Sequence, residues 1–209
     1  RMEMLLAESR AYVDAIFVCP HHPDRGYEGE VPHLKGPCRC RKPATGLVDD
    51  AVNELNIDTS ATWLIGDSST DVACALEAGL IPALVSTGHA GMDGRHPTDY
   101  ALRFASAKEA IDFAVDVFPS LWRRCLMLVE NQSDQAAVRV AGSSRDAADN
   151  AARLIALAAR RRGKATSITS AGAMTRLAPH GGASDAQVLA ITTDVVIQSP
   201  SELVIDLAS

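Results

Sequence analysis

Two short motifs of cysteine and histidine near the start of the chain constrain its fold most. Residues 19–23 read Cys-Pro-His-His-Pro, and residues 38–40 read Cys-Arg-Cys, with a Gly- and Pro-containing loop between them. Thiolate and imidazole groups are the donors that Zn²⁺ prefers, and a complete set of four protein ligands leaves no open coordination position. The pattern therefore predicts one structural zinc ion that holds the irregular loop of residues 19–43 in a single shape.

Three histidines are candidates for the one zinc ligand that is not a cysteine. We expect Cys19, His21, Cys38 and Cys40 to bind the ion. Two other histidines are candidates: His22 is the direct neighbour of the expected ligand, and His33 lies inside the loop. The alternative without a metal is a reduced core thiol beside two chance neighbours, or a disulfide.

Composition favours a globular chain of the α/β class. The 209 residues are 47% hydrophobic and 22% charged, while aromatic residues make up only 4%, so the core must be built from Ala, Leu, Val and Ile. A formal net charge of -6 argues against a general nucleic-acid binder, which needs excess Lys and Arg to neutralise phosphates. No apolar run has the length of a membrane span. The first residues do not read as a secretory leader, so we expect a cytoplasmic location without membrane association.

Alternating hydrophobic patterns predict strands that alternate with helices. The expected strands are 15–18, 61–67, 81–85 and 100–104, and the expected helices are 2–13, 45–55, 68–79 and 106–117. Such alternation is typical of a parallel sheet, in which binding sites gather at the carboxyl ends of strands. The first expected strand ends at Cys19 and the second ends at Asp67, so these two strand ends are the predicted functional positions.

Basic and acidic residues near these strand ends suit phosphate chemistry. Arg41 and Lys42 directly follow Cys40, and the zinc loop would point both at a substrate. Asp67 follows Gly66 at the end of the second strand, where a carboxylate can hold Mg²⁺, a hard cation that prefers oxygen ligands. The alternative role for Asp67 is that of a helix cap.

Taken in order, these motifs resemble those of a known phosphatase family. The chain is similar, across residues 2–121, to the heptose-bisphosphate and histidinol-phosphate phosphatase branch of the haloacid dehalogenase superfamily. The resemblance is carried by the motifs at 19–23 and 38–43 and by Ile-Gly-Asp-Ser-Ser-Thr-Asp at 65–71. It implies a Rossmann-like parallel sheet and the hydrolysis of a small sugar phosphate, with D-glycero-D-manno-heptose 1,7-bisphosphate as the expected substrate.

The resemblance also implies roles for individual residues. The zinc loop would be a substrate-specificity insert, with a structural Zn²⁺ bound by Cys19, His21, Cys38 and Cys40. By the same resemblance Arg41 would recognise the substrate, Lys42 would act in catalysis by stabilising the transferring phosphoryl group, and Asp67 would bind Mg²⁺. Cations around the phosphoryl oxygens are what such a transfer needs most.

One expected motif of that family does not occur in the 209 residues. The family's nucleophile and general acid come as Asp-x-Asp at the end of a first strand, and no such pair is found in this sequence. Ser68 also stands where family members tend to carry Lys. We therefore expect a fold truncated at the N-terminus and no activity from the chain alone, unless an upstream segment or a partner chain supplies the carboxylate. The alternatives are a non-catalytic zinc-stabilised phosphosugar-binding or regulatory module, and a fragment of a histidinol-phosphate phosphatase.

The last third of the chain has a separate pattern. We expect a phosphatase-like domain at 1–121, a linker at 122–136 and a second small α/β segment at 137–209. Residues 142–149 resemble a degenerate kinase-like phosphate loop, with Ala148 in place of the lysine. A competing resemblance is to a sugar-phosphate isomerase module, in which serines at 143–144 and the residues 194–201 would cradle a phosphate. The third possibility is an α/β appendage that only packs.

Overall fold

The structure of the chain is a computed structural model. It describes residues 2–26, 28–131, 137–141, 145–163, 166–169, 189–193 and 204–206. Within them the helices are α1 (Met2–Glu8), α2 (Gly46–Leu55), α3 (Ser69–Glu77), α4 (Ala107–Asp112), α5 (Phe118–Asn131) and α6 (Arg145–Arg161). Short 3-10 helices cover Pro32–Leu34 and Thr59–Ala61, and a π-helical stretch, Phe113–Val117, joins α4 to α5.

The first sheet has three parallel strands in sequence order. These strands are β1 (Trp63–Gly66), β2 (Ile81–Val85) and β3 (Leu102–Phe104). Trp63 pairs with Ile81, and Ala83 pairs with Leu102. All five residues of β2 are buried, as expected for a central strand covered on both faces. The α/β class with a Rossmann-like parallel sheet is thereby confirmed.

A second parallel sheet is formed by strands from the last third of the chain. It contains β4 (Ala137–Ala141), β5 (Thr166–Thr169), β6 (Leu189–Thr193) and β7 (Val204–Asp206), in the order β5-β6-β4-β7. Each neighbouring pair is parallel. The segment at 137–209 was expected to have α/β character, and its described elements are these four strands and α6.

Helix α6 packs into the core of the first sheet. Its residues Leu154, Ile155 and Leu157 are at most 2% exposed and share one hydrophobic cluster with Ile81 and Leu102. A run of Ala beside these residues allows close approach of neighbouring elements, because Ala adds little bulk. The first sheet and α6 therefore share one hydrophobic core.

A polar contact fixes α6 against the edge of β3. Asn150 is 4% exposed, and its side chain accepts from the Arg103 backbone N–H at 2.8 Å and donates to the Arg103 carbonyl at 2.9 Å. The amide group thereby satisfies both backbone groups of an edge residue, as a neighbouring strand would. At the other end, Arg161 donates to the carbonyls of Ser60 and Gly79, each at 2.6 Å.

Several expected elements differ from those observed. Residues 15–18 were predicted to form a buried strand, and this was wrong: they belong to no strand, and Ile16 and Val18 are 53% and 69% exposed. The pattern was apolar, but among the described residues β1 pairs only with β2, and residues 15–18 do not pair with its open edge. The helix expected to end near Val117 continues to Asn131, because Leu121, Trp122 and further apolar residues bury one face of α5. The first part of the expected linker, 122–136, therefore lies in that helix.

None of the described helices combines the length and apolar character that a membrane crossing requires.

Candidate metal centre and phosphate site

The four expected zinc ligands come from two segments of the loop that lie side by side. Cys19 and His21 lie at the start of the loop, in a stretch without helix or strand, and Cys38 and Cys40 lie in the bend that precedes α2. The two segments are joined where the His22 N–H donates to the Leu34 carbonyl at 3.0 Å. This contact, together with the 3-10 turn at Pro32–Leu34, brings the two motifs together.

The donor atoms of these residues form one compact cluster. The sulfur and nitrogen atoms of Cys19, His21, Cys38 and Cys40 all lie within 4.8 Å of one another. The Cys19 and Cys40 sulfurs are 3.2 Å apart, Cys38 and Cys40 are 3.4 Å apart, and Cys19 and Cys38 are 3.7 Å apart. His21 Nδ1 lies 3.2 Å from the Cys40 sulfur. A tetrahedral ion with Zn–S bonds of about 2.3 Å would hold its sulfurs about 3.8 Å apart, so the cluster has nearly the size of a zinc site.

The electrostatics of Cys38 and Cys40 also suit a cation. Burial opposes ionisation of Cys38, but hydrogen bonds from Cys40 and Cys19 outweigh it and lower the pKa of the Cys38 thiol. The hydrogen bond with Cys19, followed by burial, raises the pKa of Cys40 to about 12. Thiolates this close repel one another, so only part of the cluster ionises by itself. A divalent cation would allow all three thiolates to form, and the donor set therefore fits zinc.

The other two candidate histidines lie outside the cluster. His22 accepts a hydrogen bond from the Asp24 N–H at 3.2 Å, and His33 lies on the 3-10 turn. The structure thus brings His21, and neither His22 nor His33, to the three sulfurs. All five cysteines are free, so the disulfide alternative has no support here.

The side chains of Arg41 and Lys42, which directly follow the bend with Cys38 and Cys40, extend in different directions. The Arg41 guanidinium donates to the His21 carbonyl at 2.7 Å, which links this side chain to the cysteine cluster. The Lys42 ammonium forms an ion pair with the Asp71 carboxylate. The ion pair holds the Lys42 ammonium in place, and because this side chain is 47% exposed its charge is still accessible to a ligand.

Asp71 is a site residue that the sequence analysis treated only as part of a helix start. Its side chain is 5% exposed and accepts hydrogen bonds from the Ser68 N–H at 3.0 Å and the Ser68 hydroxyl at 2.7 Å. Burial alone would raise the pKa of Asp71, but hydrogen bonds from Lys42 and Ser68 lower it overall. Gly66 leaves the space for this carboxylate, since a Cβ there would lie 2.3 Å from Asp71 Oδ2. An acidic residue in the first turn of a helix that follows a strand end was the available signal.

Asp67 lies at the carboxyl end of β1, as predicted, and is not a helix cap. That cap is Ser68, whose side chain accepts from the Asp71 N–H in a capping box. Asp67 Oδ2 accepts from the His89 N–H at 2.9 Å. No hydrogen bond from a described residue reaches Oδ1, so one oxygen is available to a cation. A Mg²⁺ ion held by one carboxylate with waters and phosphate oxygens is compatible with this arrangement.

The two expected phosphate sites in the last third of the chain lie largely outside the described residues. Residues 142–144 and 194–201 are not described, and neither is the side chain of Ala148. Residues 145–149 form the first part of α6.

Part of the chain is similar to known proteins. Residues 39–117 match the family profile described as HAD-hydrolase-like. The D-glycero-beta-D-manno-heptose-1,7-bisphosphate 7-phosphatase of Yersinia pestis is 42% identical over 88 residues, which are 42% of this chain and 45% of that protein. The enzyme of the same name from Bordetella bronchiseptica is 38% identical over 89 residues, or 43% of this chain and 44% of that protein.

A solved structure also matches. It is the D,D-heptose 1,7-bisphosphate phosphatase from B. bronchiseptica complexed with magnesium and phosphate, at 38% identity, with a TM-score of 0.35 and coverage of 43% of this chain and 44% of that chain. The chain spans about half the length of the curated relatives it matches. The resemblance predicted from the motifs is confirmed: this chain is similar to the heptose-bisphosphate phosphatases of the haloacid dehalogenase superfamily.

Proposed function

We propose that the chain carries the zinc-supported, phosphate-facing part of a sugar-phosphate phosphatase site, with a heptose 1,7-bisphosphate as the substrate. The observation that carries the proposal is the direct succession of Cys40, Arg41 and Lys42, with Cys40 in the cysteine cluster and Lys42 paired to the buried Asp71. A metal ion on that cluster would fix the backbone from which both basic side chains extend. The names of the matched relatives support the substrate class.

Each proposed site residue has a distinct role. Lys42 would neutralise the phosphoryl oxygens, and Asp71 would keep its ammonium group near one position while leaving it half exposed. Arg41 would bind a second anionic or hydroxyl group of the substrate through its planar donor fork. Asp67 would hold Mg²⁺ through its free oxygen, and the ion would neutralise charge on the phosphate.

The attack on phosphorus needs a nucleophile that is not evident in this sequence. The 209 residues contain no Asp-x-Asp pair, and Lys42 and Asp67 would bind a phosphate and a metal without attacking phosphorus. We therefore expect binding of phosphate, but no turnover, from the chain by itself. The same observation favours a second candidate function, a non-catalytic zinc-stabilised module that binds a phosphosugar.

Binding of inorganic phosphate and of a heptose 1,7-bisphosphate to the zinc-loaded chain tests the proposal. Calorimetric titration should detect binding that Lys42→Ala abolishes. Lys108→Ala is the matched control, because Lys108 is 83% exposed and pairs only locally with Asp112. Phosphate binding that survives Lys42→Ala would contradict the proposed site.

A phosphate-release assay then separates the two candidate functions. Release that depends on Asp67 would show that a nucleophile is present and would rule out the non-catalytic module. If release appears only after a segment carrying Asp-x-Asp is added, the chain is the binding part of a phosphatase. A histidinol phosphate that binds more tightly than the heptose bisphosphate would move the assignment to the histidinol-phosphate branch.

A further inference from the structure

The loop of residues 88–96 lies against the carboxyl end of β1 and is attached to it by five hydrogen bonds. Two of them reach Asp67: the His89 N–H donates to Oδ2 at 2.9 Å, and the Gly91 N–H donates to the backbone carbonyl at 2.7 Å. The other three meet at Ser69. The 88–96 loop is therefore hydrogen-bonded both to Asp67 and to Ser69.

The contact with Asp67 leaves no spare space. Gly88 has a φ of +70°, and a Cβ at that position would lie 2.1 Å from Asp67 Oδ2. A side chain there would therefore push the carboxylate out of its position. The loop sets which carboxylate oxygen is bonded to protein and which one faces outward.

Asp93 forms the second attachment. Ser69 is fully buried, and Asp93 accepts from its backbone N–H at 2.7 Å and from its hydroxyl at 2.9 Å. The Ser69 hydroxyl in turn accepts from the His96 N–H at 3.1 Å. Both oxygens of Asp93 are therefore used in holding the loop to the first residue of α3, two residues after Asp67.

We propose that Asp93 is a positioning residue for Asp67. By binding Ser69, Asp93 holds the 88–96 loop against the Asp67 carboxylate. In that position Asp67 Oδ2 accepts from the His89 N–H, and Asp67 Oδ1 is oriented to bind a divalent cation. This inference rests on the proposed role of Asp67 as a magnesium ligand. Both carboxylate oxygens of Asp93 accept hydrogen bonds from Ser69, so the role proposed for Asp93 is exerted through Asp67.

Asp93 should raise the affinity for a cation because it keeps the Asp67 carboxylate ordered. A carboxylate already held in its bound orientation loses less conformational freedom when a cation binds. Residues behind a metal ligand commonly change metal affinity by 10- to 100-fold when they are mutated. Because Asp93 lies one step farther back than His89, we expect an effect of about tenfold, near the lower end of that range.

Manganese binding, followed by electron paramagnetic resonance, tests the inference on the zinc-loaded chain. Mn²⁺ accepts the same oxygen ligands as Mg²⁺. Asp67→Asn should remove the bound signal, and Asp93→Asn should weaken binding about tenfold. Asp116→Asn is the control, because it removes the same charge from an exposed helical position and should leave the affinity unchanged.

The double variant Asp67→Asn with Asp93→Asn gives the decisive comparison. If Asp93 acts through Asp67, the double variant binds Mn²⁺ no worse than Asp67→Asn alone. A further loss in the double variant, or an Asp93→Asn affinity equal to that of Asp116→Asn, would overturn the positioning role and leave Asp67 as a ligand. Binding unaffected by Asp67→Asn would instead refute the proposed magnesium site, and this inference with it.

Zinc content and circular dichroism report whether each variant is folded. If Asp93→Asn does not fold, Ser69→Ala replaces it, because that change removes the hydroxyl bonds to Asp93 and His96 while the Ser69 N–H remains. Ser69→Ala should then weaken Mn²⁺ binding with zinc content unchanged, and an unchanged affinity would overturn the inference.

Discussion

Replacing Asp71 with Asn should destabilise the fold through loss of the ion pair between its buried carboxylate and the half-exposed Lys42 ammonium. The Asp71 side chain is 5% exposed and holds three hydrogen-bond partners: the Lys42 ammonium, the Ser68 N–H and the Ser68 hydroxyl. Asn keeps the shape and one acceptor oxygen, but it carries no charge. A charge-assisted hydrogen bond contributes about 1.5–3 kcal/mol and a neutral one about 1 kcal/mol. Because Lys42 stays half exposed and hydrated, we expect a loss of about 1–2 kcal/mol in the free energy of unfolding.

The loss should depend on pH in a defined direction. The folded-state pKa of Asp71 is lowered by Lys42 and Ser68, so the unfolded chain binds the proton more readily than the folded one. Its contribution to stability is therefore complete above the unfolded pKa of about 3.9 and is lost as the pH falls through the folded value. Wild type and Asp71→Asn should differ most near neutral pH and converge in acid.

Urea unfolding followed by circular dichroism measures this difference at several pH values. Acid also protonates the cysteine and histidine groups of the metal cluster, but that effect is common to both proteins and cancels in the difference. Asp116→Asn serves as a control for the removal of one exposed charge. A constant difference between wild type and Asp71→Asn from pH 7 to pH 3 would refute the ion-pair argument.

Three further changes probe the loop and the core. His21→Ala should lower the zinc content well below one ion per chain, whereas His22→Ala should retain it; equal zinc in both would remove His21 from the ligand set. Gly46→Ala should destabilise the chain by about 1–3 kcal/mol, because a Cβ would lie 2.4 Å from the Arg39 carbonyl oxygen, and urea unfolding measures the change. Asn150→Leu should cost about 1–3 kcal/mol by leaving the two backbone groups of Arg103 unpaired. A melting temperature equal to that of wild type would contradict this last expectation.

Local sequence pattern predicted the elements of the first sheet well where several signals agreed. Residues 81–85 are uniformly apolar and follow the helix stop at Gly79, and they form the central strand β2. A helix was predicted over 68–79, and α3 begins there with both halves of a capping box between Ser68 and Asp71. In these two cases the residues that determine the element lie within a few positions of it in sequence.

The prediction failed where a partner at long range decides the structure. Residues 15–18 have the composition of a buried strand, but a strand requires a neighbour for its backbone groups, and composition carries no record of that neighbour. The continuation of the helix beyond Val117 has a similar cause. Leu128 and Val129 of that continuation share a hydrophobic cluster with Leu154 of α6, which lies 25 positions beyond Val129 in sequence.

The sequence by itself determined the chemistry of the site, because residue type sets donor type: three thiols and an imidazole suit zinc, and Arg41, Lys42 and Asp67 suit a phosphate with its magnesium ion. Only the tertiary structure decided which groups meet. It selected His21 over His22, paired Lys42 with Asp71 across 29 positions of sequence, and closed the 88–96 loop over Asp67. Such contacts depend on the directions in which strands and loops leave the sheet, and these directions follow from packing of the whole core.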